Sequence, residues 1–201
     1  MKKVLLFIIF AGLLVTGLNI FYTNYSNQTA EITTMTILGS EPKYNLEQLT
    51  NDSELVIRGV VEKVSEPKWN NKENNTPEKL TMLDAIYKDV TLKVNDVLKG
   101  TPPEKKSVKV RVIGGKVGDF TVVNENQPLF TLKDEIILFL AKDNTMFNKE
   151  KTQDHYILVG STQGLYSITG EKASNVHEEL DLGEMNKKIQ EYILNPNPRK
   201  N

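Results

Sequence analysis

The sequence predicts a mainly β chain: a small closed barrel of about five to seven strands with a short N-terminal helix and a C-terminal amphipathic helix, preceded by one transmembrane helix. Three observations carry this. Apolar residues alternate with polar ones through most of the chain after residue 53, the period of a half-buried strand. An uninterrupted apolar run stands at the start. There are no cysteines, so the fold is held by packing alone, without disulfides or thiolate metal sites.

The apolar run is VLLFIIFAGLLVTGLNIFY, Val4 to Tyr22. Nineteen helical residues at about 1.5 Å each span about 28 Å, close to the ~30 Å of bilayer hydrocarbon. Lys2 and Lys3 precede it and no other charged side chain appears before Glu31, which by the positive-inside rule leaves the N-terminus in the cytoplasm. Phe21, Tyr22 and Tyr25 fall where amphipathic rings favour the outer interface. This pattern predicts an uncleaved signal-anchor in a single-pass membrane protein whose body lies outside the cell. The competing reading is a cleaved signal peptide, with Val15-Thr16-Gly17 as the cleavage site and a secreted product.

The chain divides into a cytoplasmic stub at 1–3, a span at 4–22, a stem at 23–43, the barrel with its helices at 44–195 and a tail at 196–201. Within the stem, Ile32, Met35, Ile37 and Leu38 offer one short strand. Asn45 and Gln48 form a capping box for a helix whose apolar face holds Leu46 and Leu49. SELVIRGVVEKV follows as a strand, and Gly59 within it marks a bulge or bend. YKDVTLKVNDVLKG places Val90, Leu92 and Val94 on one face. SVKVRVIGG alternates Val108, Val110 and Val112 up to Gly114-Gly115, read as a hairpin turn or, less readily, an anion cradle, with Phe120 and Val122 on the return strand. DEIILFL is apolar throughout Ile136 to Leu140, as in a strand buried on both faces. YILVGS and GLYSITG are shorter strands joined by a turn at Ser161 to Gly164. Met185, Ile189 and Ile193 make the stripe of a final helix capped by Asp181 and ended at Asn195-Pro196. Glu178, Glu179, Asp181 and Glu184 suit the positive start of that helix better than a cation loop. Two polar segments, 66–79 and 142–154, lack apolar periodicity and are expected as exposed loops.

Strand count and the glycine-bent first strand point to an OB-like barrel. Ser53 to Val64, Tyr87 to Gly100, Ser107 to Val112 and Asp134 to Leu140 resemble the OB-type barrel of netrin-like domains. These include the N-terminal domain of tissue inhibitors of metalloproteinases and domains of bacterial membrane-anchored exported proteins. The resemblance spans roughly residues 50–170. It implies a fold, and by analogy inhibition of an extracellular protease through a barrel-edge loop. Those inhibitors chelate the protease zinc with an N-terminal cysteine, which this chain does not have, so no functional residue is transferred.

The 25 Lys+Arg against 26 Asp+Glu give no basic surplus for nucleic-acid binding. His155 and His177 are the only histidines; with a carboxylate they could form a hydrolytic metal site, but their spacing matches no ligand motif and two surface positions at element ends is the plainer reading. No nucleophile elbow is present, and no cofactor or catalytic group is assigned. The sequons at Asn24, Asn27, Asn51 and Asn74 matter only in a eukaryotic secretory pathway. The candidate partner-binding residues are Trp69, Lys68 and Lys72. Trp69, the only tryptophan, either pins its loop to the barrel or stands exposed to engage a sugar, a base or a protein. The functional expectation is a membrane-anchored binding or structural module for a cell-surface protein or glycan, with a metal-assisted hydrolase or a protease inhibitor as alternatives.

Overall fold

The computed structural model describes residues 33–37, 42–101 and 106–196. The expected span at 4–22, much of the stem and residues 197–201 of the tail lie outside these described residues. Among the described residues, no helix is long and apolar enough to cross a membrane.

The elements run β1 (Thr33–Ile37), α1 (Leu46–Asp52), β2 (Leu55–Val64), β3 (Lys68–Trp69), β4 (Ile86–Lys99), β5 (Ser107–Ile113), β6 (Gly115–Val117), β7 (Phe120–Asn124), β8 (Glu135–Lys142) and β9 (Tyr156–Leu158). A 3-10 turn at Ser161–Gly164 leads to β10 (Leu165–Thr169), β11 (Lys172–Ser174), β12 (Glu179–Asp181) and α2 (Leu182–Leu194). Five strands close a barrel in the order β2-β4-β5-β9-β8 and back to β2. All neighbours are antiparallel except β5 and β9, which run parallel and meet at the single pair Val110↔Tyr156. One edge of β8 serves two partners, β10 along Ile136 to Leu138 and β9 along Leu140 to Lys142.

Alternation builds the barrel interior from Leu55, Ile57 and Val61 of β2, Val90, Leu92 and Val94 of β4, Val108, Val110 and Val112 of β5, and Ile136, Leu138 and Leu140 of β8. The other parity of β8, Ile137 and Phe139, faces a second core shared with Leu46 and Leu49 of α1 and Met185 and Ile189 of α2. Its unbroken apolar sequence follows from having two dry faces. The capping box at Asn45 is present, and Asp181 caps α2 through the N–H groups of Gly183 and Glu184. The C-terminal carbonyls of α1 are met from a distance: Lys99 Nζ donates to Thr50 O and Ser53 O, each at 2.6 Å. A cation at that end also suits the helix dipole.

A small three-stranded sheet, β1-β7-β6, packs beside the barrel around Trp69, Ile86 and Val122. Here the structure corrects the expected hairpin. Gly114 and Gly115, at φ 134° and 131°, turn the corner from β5 into β6, and the tight turn comes later, at Gly118-Asp119 between Val117 and its partner Phe120. The β11–β12 hairpin ahead of α2 was absent from the sequence reading.

Gly59 lies where the β2–β4 register shifts, and a Cβ there would sit 2.5 Å from the Lys93 carbonyl oxygen. Since that neighbour is backbone, relief requires moving a barrel strand. Gly59→Ala is expected to destabilise the chain by about 2 kcal/mol or more, the range of overpacked cores, read from the urea midpoint.

Candidate functional site: a polar cleft on the β4–β5 face

The two segments expected as exposed loops are packed against each other. Asn70 is 8% exposed. Its Nδ2 donates to Leu83 O at 2.8 Å and to Phe147 O at 2.9 Å, while its Oδ1 accepts from Ala85 N at 2.9 Å. Just after the first of these segments, Asp84 bonds Thr81 and is ion-paired with Lys149 of the second. Burial works to raise the Asp84 pKa, but the bonds from Lys149 and Thr81 outweigh it and hold the carboxyl below the ordinary range.

The second loop has its own polar skeleton. Asn148 donates to Asp143 O and to Thr152 O, each at 2.8 Å, so the chain turns back on itself. His155 is 1% exposed, which corrects its expected surface position; His177 is exposed. His155 Nε2 lies 2.9 Å from Asp143 Oδ2 and Nδ1 lies 2.9 Å from Asp154 Oδ1. Lys109 Nζ on β5 then donates to Asp154 Oδ2 at 2.6 Å. The chain Asp143–His155–Asp154–Lys109 therefore connects the end of β8, the approach to β9 and the middle of β5. For Asp143, burial acts upward but the bonds from His155 and Thr145 prevail; for Asp154, the bonds from His155 and Lys109 dominate. Both carboxyls are held below their usual value.

Between the loops lies an open cleft of about 220 Å³. Its floor is the outward face of β4 and β5, whose inward face is the valine-lined core. Asp89 and Arg111 are direct cross-strand partners, and the guanidinium grips the carboxylate with Nε at 2.8 Å and Nη2 at 3.2 Å. Arg111 also covers the Tyr87 ring, 3.8 Å from its centroid. Lys68 reaches the same groups, 3.6 Å from Asp89 Oδ2 and 5.1 Å from the Tyr87 centroid.

The structure thus brings two of the three sequence-predicted site residues, Lys68 and Lys72, into one cleft and keeps the third out of it. Trp69 is 1% exposed and meets Phe120 edge-on at 5.6 Å. Its ring is spent on packing the small sheet, because β3 directs neighbouring side chains to opposite faces. The sequence reading missed Arg111, Lys109 and Asp89. The available signal was the outward parity of SVKVRV, which sets two cations two residues apart on one strand face.

For the alternative of a hydrolytic metal site, the donors do not assemble. Both ring nitrogens of His155 face carboxylates, and among the described residues no group of three or more His, Asp or Glu side chains could hold a metal ion.

His155→Leu is expected to destabilise the chain by about 3 kcal/mol, because it strands the buried Asp143 carboxylate, and thermal and urea unfolding measure it. Depressed carboxyl pKa values contribute stability that is present above the ordinary value of 3.8 and is lost as pH falls through the folded value. The wild type should therefore lose stability steeply below that pH, and Asp143→Asn should flatten the loss.

No protein-family model matches this chain, and no curated protein does.

Proposed function

We propose that this chain is a membrane-anchored binding module whose OB-like barrel, held outside the cell, seats an extended ligand in the cleft on the β4–β5 face. The observation that carries this reading is where the cleft lies. Counted along the barrel alone, its floor is the second and third strands, and its walls are the connections between the first and second and between the fourth and fifth. OB-folds bind oligosaccharides and oligonucleotides on that face, between those two loops. The strand order, with the third and fifth strands parallel, supports the OB-like assignment. The resemblance to netrin-like domains agrees with it at the level of fold only.

Anchoring rests on the apolar run Val4 to Tyr22 behind Lys2 and Lys3. Such an anchor would tether the body to the membrane that it spans. Confinement of that kind raises the effective concentration for partners on the same surface.

Two measurements test the proposal. Protease added to intact cells should remove the body at 44–195, and a protected body refutes the outward orientation. Glu150 lines the cleft, and Glu150→Trp sets a bulky ring at its wall in place of a carboxylate. Against glycans and surface proteins offered to the full chain in neutral detergent micelles, this variant should bind at least about tenfold more weakly, the cost of losing a desolvated contact. Unchanged affinity removes the cleft from the proposal.

A further inference from the structure

We infer that His155 is held as an imidazolium between Asp143 and Asp154, and that its second ring proton is a latch closing the base of the loop at 143–155. The latch belongs to the fold and is independent of what the cleft binds. A neutral imidazole has one N–H and one lone pair, and only the charged form donates from both nitrogens. Here both nitrogens meet carboxylate oxygens at 2.9 Å, Nε2 on Asp143 Oδ2 and Nδ1 on Asp154 Oδ1. Two such contacts need two bridging protons. With one missing, whichever tautomer is kept, a nitrogen lone pair faces an oxygen lone pair beside a ring that is fully buried.

The two carboxyl groups are acceptors for reasons of their own. Asp143 Oδ1 accepts from Thr145 N–H at 2.9 Å and from the Thr145 hydroxyl at 2.6 Å, and Asp154 Oδ2 accepts from Lys109 Nζ at 2.6 Å. Those bonds favour the ionised form of both groups, which leaves the ring as the seat of the two protons. Charge then closes, with two carboxylates facing one imidazolium and one ammonium. The other charged groups along the adjoining cleft are engaged elsewhere or lie on its rim: Arg111 and Lys68 pair with Asp89, Lys149 pairs with Asp84, Tyr87 lies under Arg111, and Glu150 and Lys72 are exposed.

Position gives this proton its effect. Asp143 and His155 stand at the two ends of the loop, so their bond fastens its base. Beyond it, β9 is held by three backbone pairs to β8 and by the single pair to β5. The ties through Asn70 and Asn148 are made by amides, which carry no titrating proton. Above the ordinary imidazole value of about 6.5, an opened loop keeps one ring proton and the closed loop keeps two. The closed state binds the extra proton, so the stabilisation is fully present below about pH 6.5 and is lost as pH rises, by about tenfold in the closing equilibrium per pH unit until the network itself lets go.

The test uses the full chain in neutral detergent micelles. With isotope-labelled histidine at about pH 7.5, nuclear magnetic resonance should show a proton on both ring nitrogens of His155, while the exposed His177 gives the averaged signal of a solvated ring. A single ring proton on His155 overturns the imidazolium. Asp143→Asn then separates the proton from the geometry. Its Oδ1 still accepts from Thr145, its Nδ2 donates to a neutral Nε2, and Nδ1–H still serves Asp154, so the bridging hydrogen is covalent and none is drawn from solution. Lys149 and Lys151 are exposed in the loop. Tryptic cleavage after them, measured against a short peptide of the same sequence, should rise at least about tenfold between about pH 7 and about pH 9 in the wild type and less than about twofold in the variant. The urea midpoint should fall across the same window in the wild type alone. A flat wild-type rate, or an equal rise in Asp143→Asn, overturns the latch. Should the variant fail to fold, the wild type's proton count and cleavage profile decide the matter by themselves.

Discussion

A barrel has to close on itself, and this one closes at a seam that its backbone barely spans. Between β5 and β9 the ladder amounts to one parallel pair, Val110↔Tyr156. Side chains do the rest. Asp143 leaves the end of β8, His155 and Asp154 stand just before β9, and Lys109 is the neighbour of Val110 on β5. Hydrogen bonds run through the four of them, so each buried group has a polar partner, the condition under which polar networks survive away from water. Because the network begins and ends on different barrel strands, it also fixes the position of the loop it crosses. That loop is one wall of the cleft. Closure of the fold and shape of the site are therefore consequences of the same contacts.

The opposite wall is rigid for a related reason. Asn70 uses both functions of its amide to gather three backbone groups, two from its own segment and one from the facing loop. Lys149 and Asp84 repeat the connection with charge. Neither loop has an apolar core, and hydrogen bonds to buried polar side chains replace one. The cationic floor is built differently, by a cross-strand Asp–Arg pair stacked on a tyrosine, with the greasy side of the same two strands forming the barrel interior. A β-strand can serve both purposes because its side chains alternate.

That alternation is also why much of the fold was legible in the sequence and much of the site was not. Leu92 and Val94 announce a strand by their spacing alone, Ile136 to Leu140 announce a two-sided one, and Asn45 with Gln48 announces a helix start; all three signals act within a few residues. The partnership of Asn70 with Phe147, or of Asp84 with Lys149, links positions far apart along the chain and leaves no period to detect. His155 looked like a residue at the start of a strand because nothing local shows that Asp143 returns to it. Gly114-Gly115 shows a subtler failure: paired glycines permit a tight turn and an open corner equally well, and the packing of β6 and β7 decided between them. Trp69 was recognisable as unusual, but its environment depends on Phe120 and Val122, which arrive from another sheet.

The placement of that lone indole has an optical consequence. None of the buried residues of the barrel interior is aromatic, whereas Trp69 sits in the smaller cluster beside it. Tryptophan emission, excited at wavelengths where the tyrosines do not absorb, is accordingly a reporter of the satellite sheet and of the segment leading into the cleft rather than of the valine-lined interior.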